Sequence, residues 1–184
     1  MKQYLFTSDR LGFRKWLPED LTPFAAINAD PIAMEYFPML MSEEETSNMI
    51  ARIQQHFADH KYGLYAVDLL ENGQFIGFIG FNHPTFESWF TPCVEIGWRL
   101  RPEVWNNGYA TEGAIRCFEY AFHQLGFKEI YAFTTVSNKK SERIMLKAGM
   151  HHVGFFDHPK LASDHPFLRH TLYKISPPAN NDYK

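Results

Sequence analysis

Residues 96–112 constrain the fold more than any other part of the chain: Ile96-Gly97-Trp98-Arg99-Leu100-Arg101-Pro102-Glu103-Val104-Trp105-Asn106-Asn107-Gly108-Tyr109-Ala110-Thr111-Glu112. The first part alternates as a strand, with Val94, Ile96, Trp98 and Leu100 on one face and Glu95, Gly97 and Arg99 on the other. Pro102 cannot continue a hydrogen-bonded ladder. After Asn106-Asn107-Gly108-Tyr109-Ala110, the residues Ala114, Ile115, Phe118, Ala121, Phe122 and Leu125 recur at helical spacing, and Gly126 is placed to end the helix. A small-residue loop that opens directly onto a helix leaves backbone N–H groups without partners, with the positive end of the helix dipole behind them. That combination binds anions, phosphate above all.

The loop carries neither Gly-x-x-x-x-Gly-Lys-Ser/Thr nor Gly-x-Gly-x-x-Gly, which argues against a nucleoside triphosphatase and against a dinucleotide fold. It resembles the pyrophosphate loop of the GCN5-related N-acetyltransferase (GNAT) superfamily, Gln/Arg-x-x-Gly-x-Gly/Ala, matched here by Trp105-x-x-Gly108-x-Ala110. Trp105 departs from the general pattern, and Trp-x-x-Gly-Tyr-Ala-Thr-Glu is similar to the branch containing the Rim-type ribosomal-protein N-terminal acetyltransferases. Residues 129–136 then read as a strand. Residues 137–150 resemble the family's Asn-x-x-Ser/Ala…Gly-Phe segment, with Asn138 and Ser141 in register. The Asn138 amide also suits a helix N-cap. The resemblance spans roughly residues 8–175.

This resemblance implies acetyl-CoA as the acetyl donor, with CoA as product. Main-chain groups of Trp98, Arg99 and Leu100 would pair with the pantetheine arm, and the N–H near Leu100 would polarise the acetyl carbonyl. Asn106, Asn107, Gly108, Tyr109, Ala110 and Thr111 would hold the pyrophosphate. Asn138 and Ser141 would line the arm. Arg143, with Lys139, Lys140 and Lys147, suits the 3′-phosphate or a solvated helix face. Among candidate bases, Glu95 sits on the strand near the thioester end, whereas Glu112 is more simply a helix-start carboxylate. The family's usual acid, a Tyr seven residues after the Asn, is replaced by Met145. Ser141 then becomes the candidate donor to the leaving sulfur, with Tyr109 and Tyr173 as alternatives.

The rest of the chain sets bounds. Its 184 residues, 45% hydrophobic, suit one domain over residues 1–175, with a disordered tail over 176–184. A net charge of −3 gives no footprint for nucleic acid. No apolar run approaches the roughly 18 residues of a membrane span. Two cysteines, Cys93 and Cys117, and an N-terminus without a signal-peptide core lead us to expect a cytoplasmic protein, monomeric or homodimeric.

Along the chain, residues 11–17 read as a strand and 18–29 as a short helix. Ser42 and Glu45 form a capping box ahead of a helix with Met49, Ile50, Ile53 and Phe57 inward. Residues 62–70 and 74–81 are strands joined at Glu71-Asn72-Gly73, the second apolar on both faces and so central. Two late strands fall at 152–156 and 168–175. The order β-α-α-β-β-β-α-β-α-β-β gives a mixed α/β protein; the resemblance adds a mostly antiparallel central sheet flanked by helices.

No metal is expected. His56 and His60 stand four apart on a helix but lack an acidic third ligand or a His-Glu-x-x-His pattern, and His151, His152, His158, His165 and His170 read as scattered solvated residues. The segments 158–166 and 86–90 are candidates to border the substrate mouth. Cys93 has no His–acid pair placed to activate it, so direct transfer is expected over an acyl-enzyme. Three readings remain open at this point: acetylation of a protein N-terminal α-amine, acetylation of a small-molecule amine, and non-catalytic acyl-CoA binding.

Overall fold

The computed structural model describes residues 2–178 and contains one eight-stranded sheet. Its strands are β1 (Phe6–Thr7), β2 (Leu11–Arg14), β3 (Leu64–Leu69), β4 (Phe75–Asn82), β5 (Glu95–Leu100), β6 (Ile130–Thr135), β7 (His151–Asp157) and β8 (Arg169–Ile175), in the spatial order β1-β2-β3-β4-β5-β6-β8-β7. Every neighbouring pair is antiparallel except β5 and β6. The helices are α1 (Leu21–Ala29), α2 (Glu43–His60), α3 (Tyr109–Tyr120) and α4 (Lys139–Lys147). The α/β reading and the element order therefore stand, with β1 as an addition. Two residues long, β1 carries too little periodicity to be read from sequence. The tail expectation from residue 179 onward lies outside the described residues.

Local chemistry accounts for the element ends. The Ser42 hydroxyl accepts from the Glu45 N–H and the Glu45 carboxylate accepts from the Ser42 N–H, so the expected capping box starts α2. β4 is buried on both faces from Phe75 to Phe81. The helix expected after the loop, with its stripe from Ala114 to Leu125, forms, but Ile115 is 41% exposed and does not belong to the inward stripe. Gly113, Ala114, Cys117, Phe118 and Ala121 fill that stripe, and a π-helical turn at Ala121–Leu125 rotates the last residues before Gly126. Residues 11–17 form a strand only to Arg14. Pro18–Asp20 is a 3-10 turn, and α1 begins at Leu21.

A bulge in β4 sets its register against β3. Val67 pairs with Gly77 and Asp68 with Phe75, so Ile76 is the extra residue on β4. Gly77 adopts φ 130°, and a Cβ there would run into the Arg99 carbonyl oxygen on β5.

A charged cluster lies beside the apolar core. The Arg14 guanidinium, 1% exposed, donates from Nε and Nη2 to Asp68 (2.7 and 2.8 Å) and from Nη1 and Nη2 to Asp20 (2.6 and 2.8 Å). These bonds tie β2 to β3 and to the turn that starts α1, and they hold the Arg14 pKa above its ordinary value despite burial. Replacing Arg14 by Met would leave two carboxylates buried with their main cation removed. We expect a loss of about 3–5 kcal/mol in urea unfolding, and Arg14→Lys should recover only part of it because an ammonium lacks the planar fork.

Candidate active site

The functional geometry starts where β5 and β6 part. Their pairing is recorded at a single position, Glu95 opposite Tyr131, with the Tyr131 N–H donating to the Val94 carbonyl at 2.9 Å. On the other side β5 stays paired with β4 from Glu95 to Leu100. The Arg101 N–H reaches Ile76 on β4, whereas the Val94 and Leu100 carbonyls point the opposite way, so alternation places the polar groups of Ile96 and Trp98, and the N–H of Leu100, along the gap. Of the three residues expected to pair with pantetheine, Trp98 and Leu100 offer main-chain groups to this gap. Arg99 turns its main chain towards β4.

A cavity of about 760 Å³ occupies the gap and is lined from both faces of the sheet. On the α3–α4 side it meets the phosphate-loop candidates. Gly108, at φ 81°, leads directly into α3, and no side chain caps the helix. The Tyr109, Ala110 and Thr111 N–H groups precede the first intrahelical bond, from the Glu112 N–H to the Gly108 carbonyl, so they remain available to an anion. The loop is braced from behind: Trp105 Nε1 donates to the Leu100 carbonyl at 2.8 Å, and the Asn107 amide folds back onto the Val104 and Trp105 carbonyls. Asn106 and Gly108 line the cavity; Asn107 does not, and supports the loop from outside. Lys140 lies over the Trp105 ring at 5.0 Å, and Arg143 and Lys147 also face the cavity. Open N–H groups, an unpaired strand edge and a cationic rim fit a long phosphorylated thioester.

Asn138 is an N-cap: its Oδ1 accepts from the Ser141 N–H at 3.1 Å, and its Nδ2 donates to Thr134. Its side chain nevertheless borders the cavity. The Ser141 hydroxyl accepts from Trp98 Nε1 at 3.1 Å, which leaves its own hydrogen for a second partner. Met145 is buried in the core at 2% exposure. Tyr173 donates to Glu142 and is not part of the cavity wall, so it does not supply the missing acid, whereas Tyr109 lies on the wall beneath the Arg10 guanidinium. Glu112 accepts from the Ser8 hydroxyl and from both the main chain and guanidinium of Arg10. It is a structural clamp from the β1–β2 turn to α3.

The opposite face holds Glu95, Gly97 and Arg99, with Phe78 and Asn82 from β4, Ile32, Ala33, Tyr36, Phe37 and Pro38 after α1, and His158, Lys160, Leu161 and His170 near the C-terminus. Glu95 is partly buried on the cavity wall, and desolvation there pushes its carboxyl pKa up to about 8. Arg99 is 7% exposed. Its guanidinium donates to the Asn28 side-chain Oδ1 at 2.6 Å and lies over Phe37 at 4.1 Å; its Nε has no partner, and burial lowers its pKa to about 10. Cys93 is poorly suited to nucleophilic attack because burial pushes its thiol up to about 12.

The acetyltransferase (GNAT) domain family matches residues 10–151. The chain belongs to the GNAT acetyltransferases. Among its relatives, the Bacillus subtilis protein called uncharacterized N-acetyltransferase YnaD is 30% identical over 152 residues, 82% of this chain and 84% of YnaD. A solved GNAT-family acetyltransferase from Bacillus anthracis superposes with a TM-score of 0.77 at 26% identity, covering 92% of this chain and 96% of that one. RimL, a ribosomal alpha-N-protein acetyltransferase solved with coenzyme A, has the same fold at a TM-score of 0.77 and 12% identity, with 95% and 98% covered. This chain is an N-acetyltransferase.

Some of this GNAT cavity gave no sequence signal. The 32–38 segment carries no motif, and His158 and His170 reach the wall only because β7 and β8 pair. The expected mouth segment at 158–166 does contribute, through His158, Lys160 and Leu161. Phe86 and Phe90 instead pack with Phe133 and Phe156 against the sheet.

The raised Glu95 pKa sets a sign for stability. Between its ordinary value of 4.5 and about 8, the unfolded chain releases this proton and the folded chain retains it, so this group lowers stability as pH rises through that window. Glu95→Gln should therefore melt at the same temperature as the parent near pH 4 and above it at pH 8–9, measured by differential scanning calorimetry.

Proposed function

We propose that this N-acetyltransferase moves the acetyl group of acetyl-CoA directly onto a primary α-amine, with the N-terminus of a polypeptide as the favoured acceptor. The observation that carries this reading is the placement of Glu95, a desolvated carboxyl, on the wall of a cavity whose other side presents the open loop of α3. Acetyl-CoA supplies the thioester: the amine nitrogen bonds to its carbonyl carbon, the C–S bond breaks, and CoA leaves. Ionised Glu95 accepts the amine proton, directly or through one water. Main-chain N–H groups along the β5 gap polarise the carbonyl oxygen. Ser141, held by Trp98, donates a hydrogen bond to the departing sulfur.

The electrostatics of the Glu95 face favour a monoamine. Arg99 has no carboxylate partner among the described residues, and Lys160, His158 and His170 add no negative charge. A polyamine would bring several cations to a wall with one titratable carboxyl, Glu95. An α-amine, with a pKa near 8, is about a quarter neutral at pH 7.5, whereas a lysine amine is about a thousandth neutral, so the α-amine asks least of the base.

Thiol release from acetyl-CoA should be faster with short peptides bearing free N-termini than with spermidine or Nα-blocked lysine peptides. Turnover highest with spermidine would reject the acceptor. Stabilisation by acetyl-CoA without thiol release from any amine would reject catalysis. Glu95→Gln should lower kcat about 100-fold and remove a rising limb with an apparent pKa near 8. Ser141→Ala should lower kcat about tenfold, the scale of one hydrogen bond, with acetyl-CoA affinity nearly unchanged.

A further inference from the structure

We propose that His56, His60 and His83 form a site for a divalent transition metal of the zinc type, separate from the acetyl-transfer cavity. His56 and His60 lie one turn apart near the end of α2, with ring centroids 4.4 Å apart. The His83 ring, just after β4, stands 5.5 and 5.0 Å from them. One ring nitrogen of each lies within 4.8 Å of the others, and none of the three residues lines the cavity.

The details suit coordination. His83 Nδ1 faces the Cys93 carbonyl at 3.1 Å, which places the ring proton on Nδ1 and the lone pair on Nε2. Metal-ligating histidines are commonly oriented by such a carbonyl. The Tyr62 hydroxyl, 2.7 Å from Nε2, donates to that lone pair in the absence of a cation and can turn to a metal-bound water in its presence. His56 Nε2 is shut off from solvent and has no hydrogen-bond partner, an imbalance that a coordinate bond removes. Zinc–nitrogen bonds of about 2.0–2.1 Å put tetrahedral ligands roughly 3.3 Å apart, so the rings need a modest inward turn, led by the exposed His60. Three imidazoles and one water make a set that zinc, copper and nickel favour over calcium or magnesium.

The ion would join the last turn of α2 to the exit of β4 and, through the Cys93 carbonyl, to the segment entering β5. Two of the three ligands, His56 and His60, are visible as a sequence spacing. His83 arrives through the β3–β4 hairpin.

Full-length protein stripped with a chelator and titrated with Zn2+ by isothermal calorimetry should bind one equivalent per chain with micromolar or tighter affinity and melt at a higher temperature. Co2+ should give the intense visible bands of a tetrahedral site. His60→Ala and His83→Ala should each weaken binding at least tenfold, while His151→Ala and His152→Ala on β7 should leave it unchanged. Circular dichroism and stabilisation by acetyl-CoA would verify folding of each variant. Absence of stoichiometric binding, or binding that survives both His60→Ala and His83→Ala, would overturn the proposal.

Discussion

The single paired position shared by β5 and β6 is the constraint on which the rest of the site depends. Strands that run parallel and share pairing only at Glu95 and Tyr131 leave one strand edge with polar groups unmatched. In a closed sheet such groups would be a defect. Here they line a cavity that opens to both faces, and the strand remains anchored through its antiparallel partner β4. The gap thus gives two chemically different half-sites access to one slot.

The two half-sites divide the work. On the α3–α4 side the binding elements are mostly backbone groups and helix geometry, which hold an anion without needing a particular side chain. On the other side the side chains decide: one desolvated carboxyl, a buried guanidinium, aromatic faces and two histidines. That division explains why GNAT membership follows from the loop while the acceptor has to be argued from charge and burial.

The same division explains what the sequence revealed. The loop 105–111, the capping box at Ser42 and Glu45, the Asn72-Gly73 hairpin and the doubly buried β4 are local patterns, and each appears where its spacing predicts. Ile115 falls off the inward stripe because Gly113 and Cys117, each two residues away and so nearly opposite it around the helix, face the core. The strand parity of Glu95 and Arg99 was legible, but the burial that pushes one carboxyl upward and strips a guanidinium of water depends on residues 32–38 and 158–170, far away in the chain. Met145 was visible as a departure from the usual Tyr. It packs in the core and also borders the cavity, where it presents a thioether in place of a hydroxyl.

Gly77 gives the bulge on β4 a consequence well away from β4 itself. The Arg99 carbonyl packs where a side chain at position 77 would stand, so β5 has one seating against its neighbour. A shift of one residue would exchange odd and even positions, carrying Glu95 to the α3 face and presenting Ile96 to the acceptor. The enzyme's chemistry therefore depends on parity. A residue with no side chain, outside the cavity wall, keeps the odd-numbered half of a strand on the side where a proton must be taken.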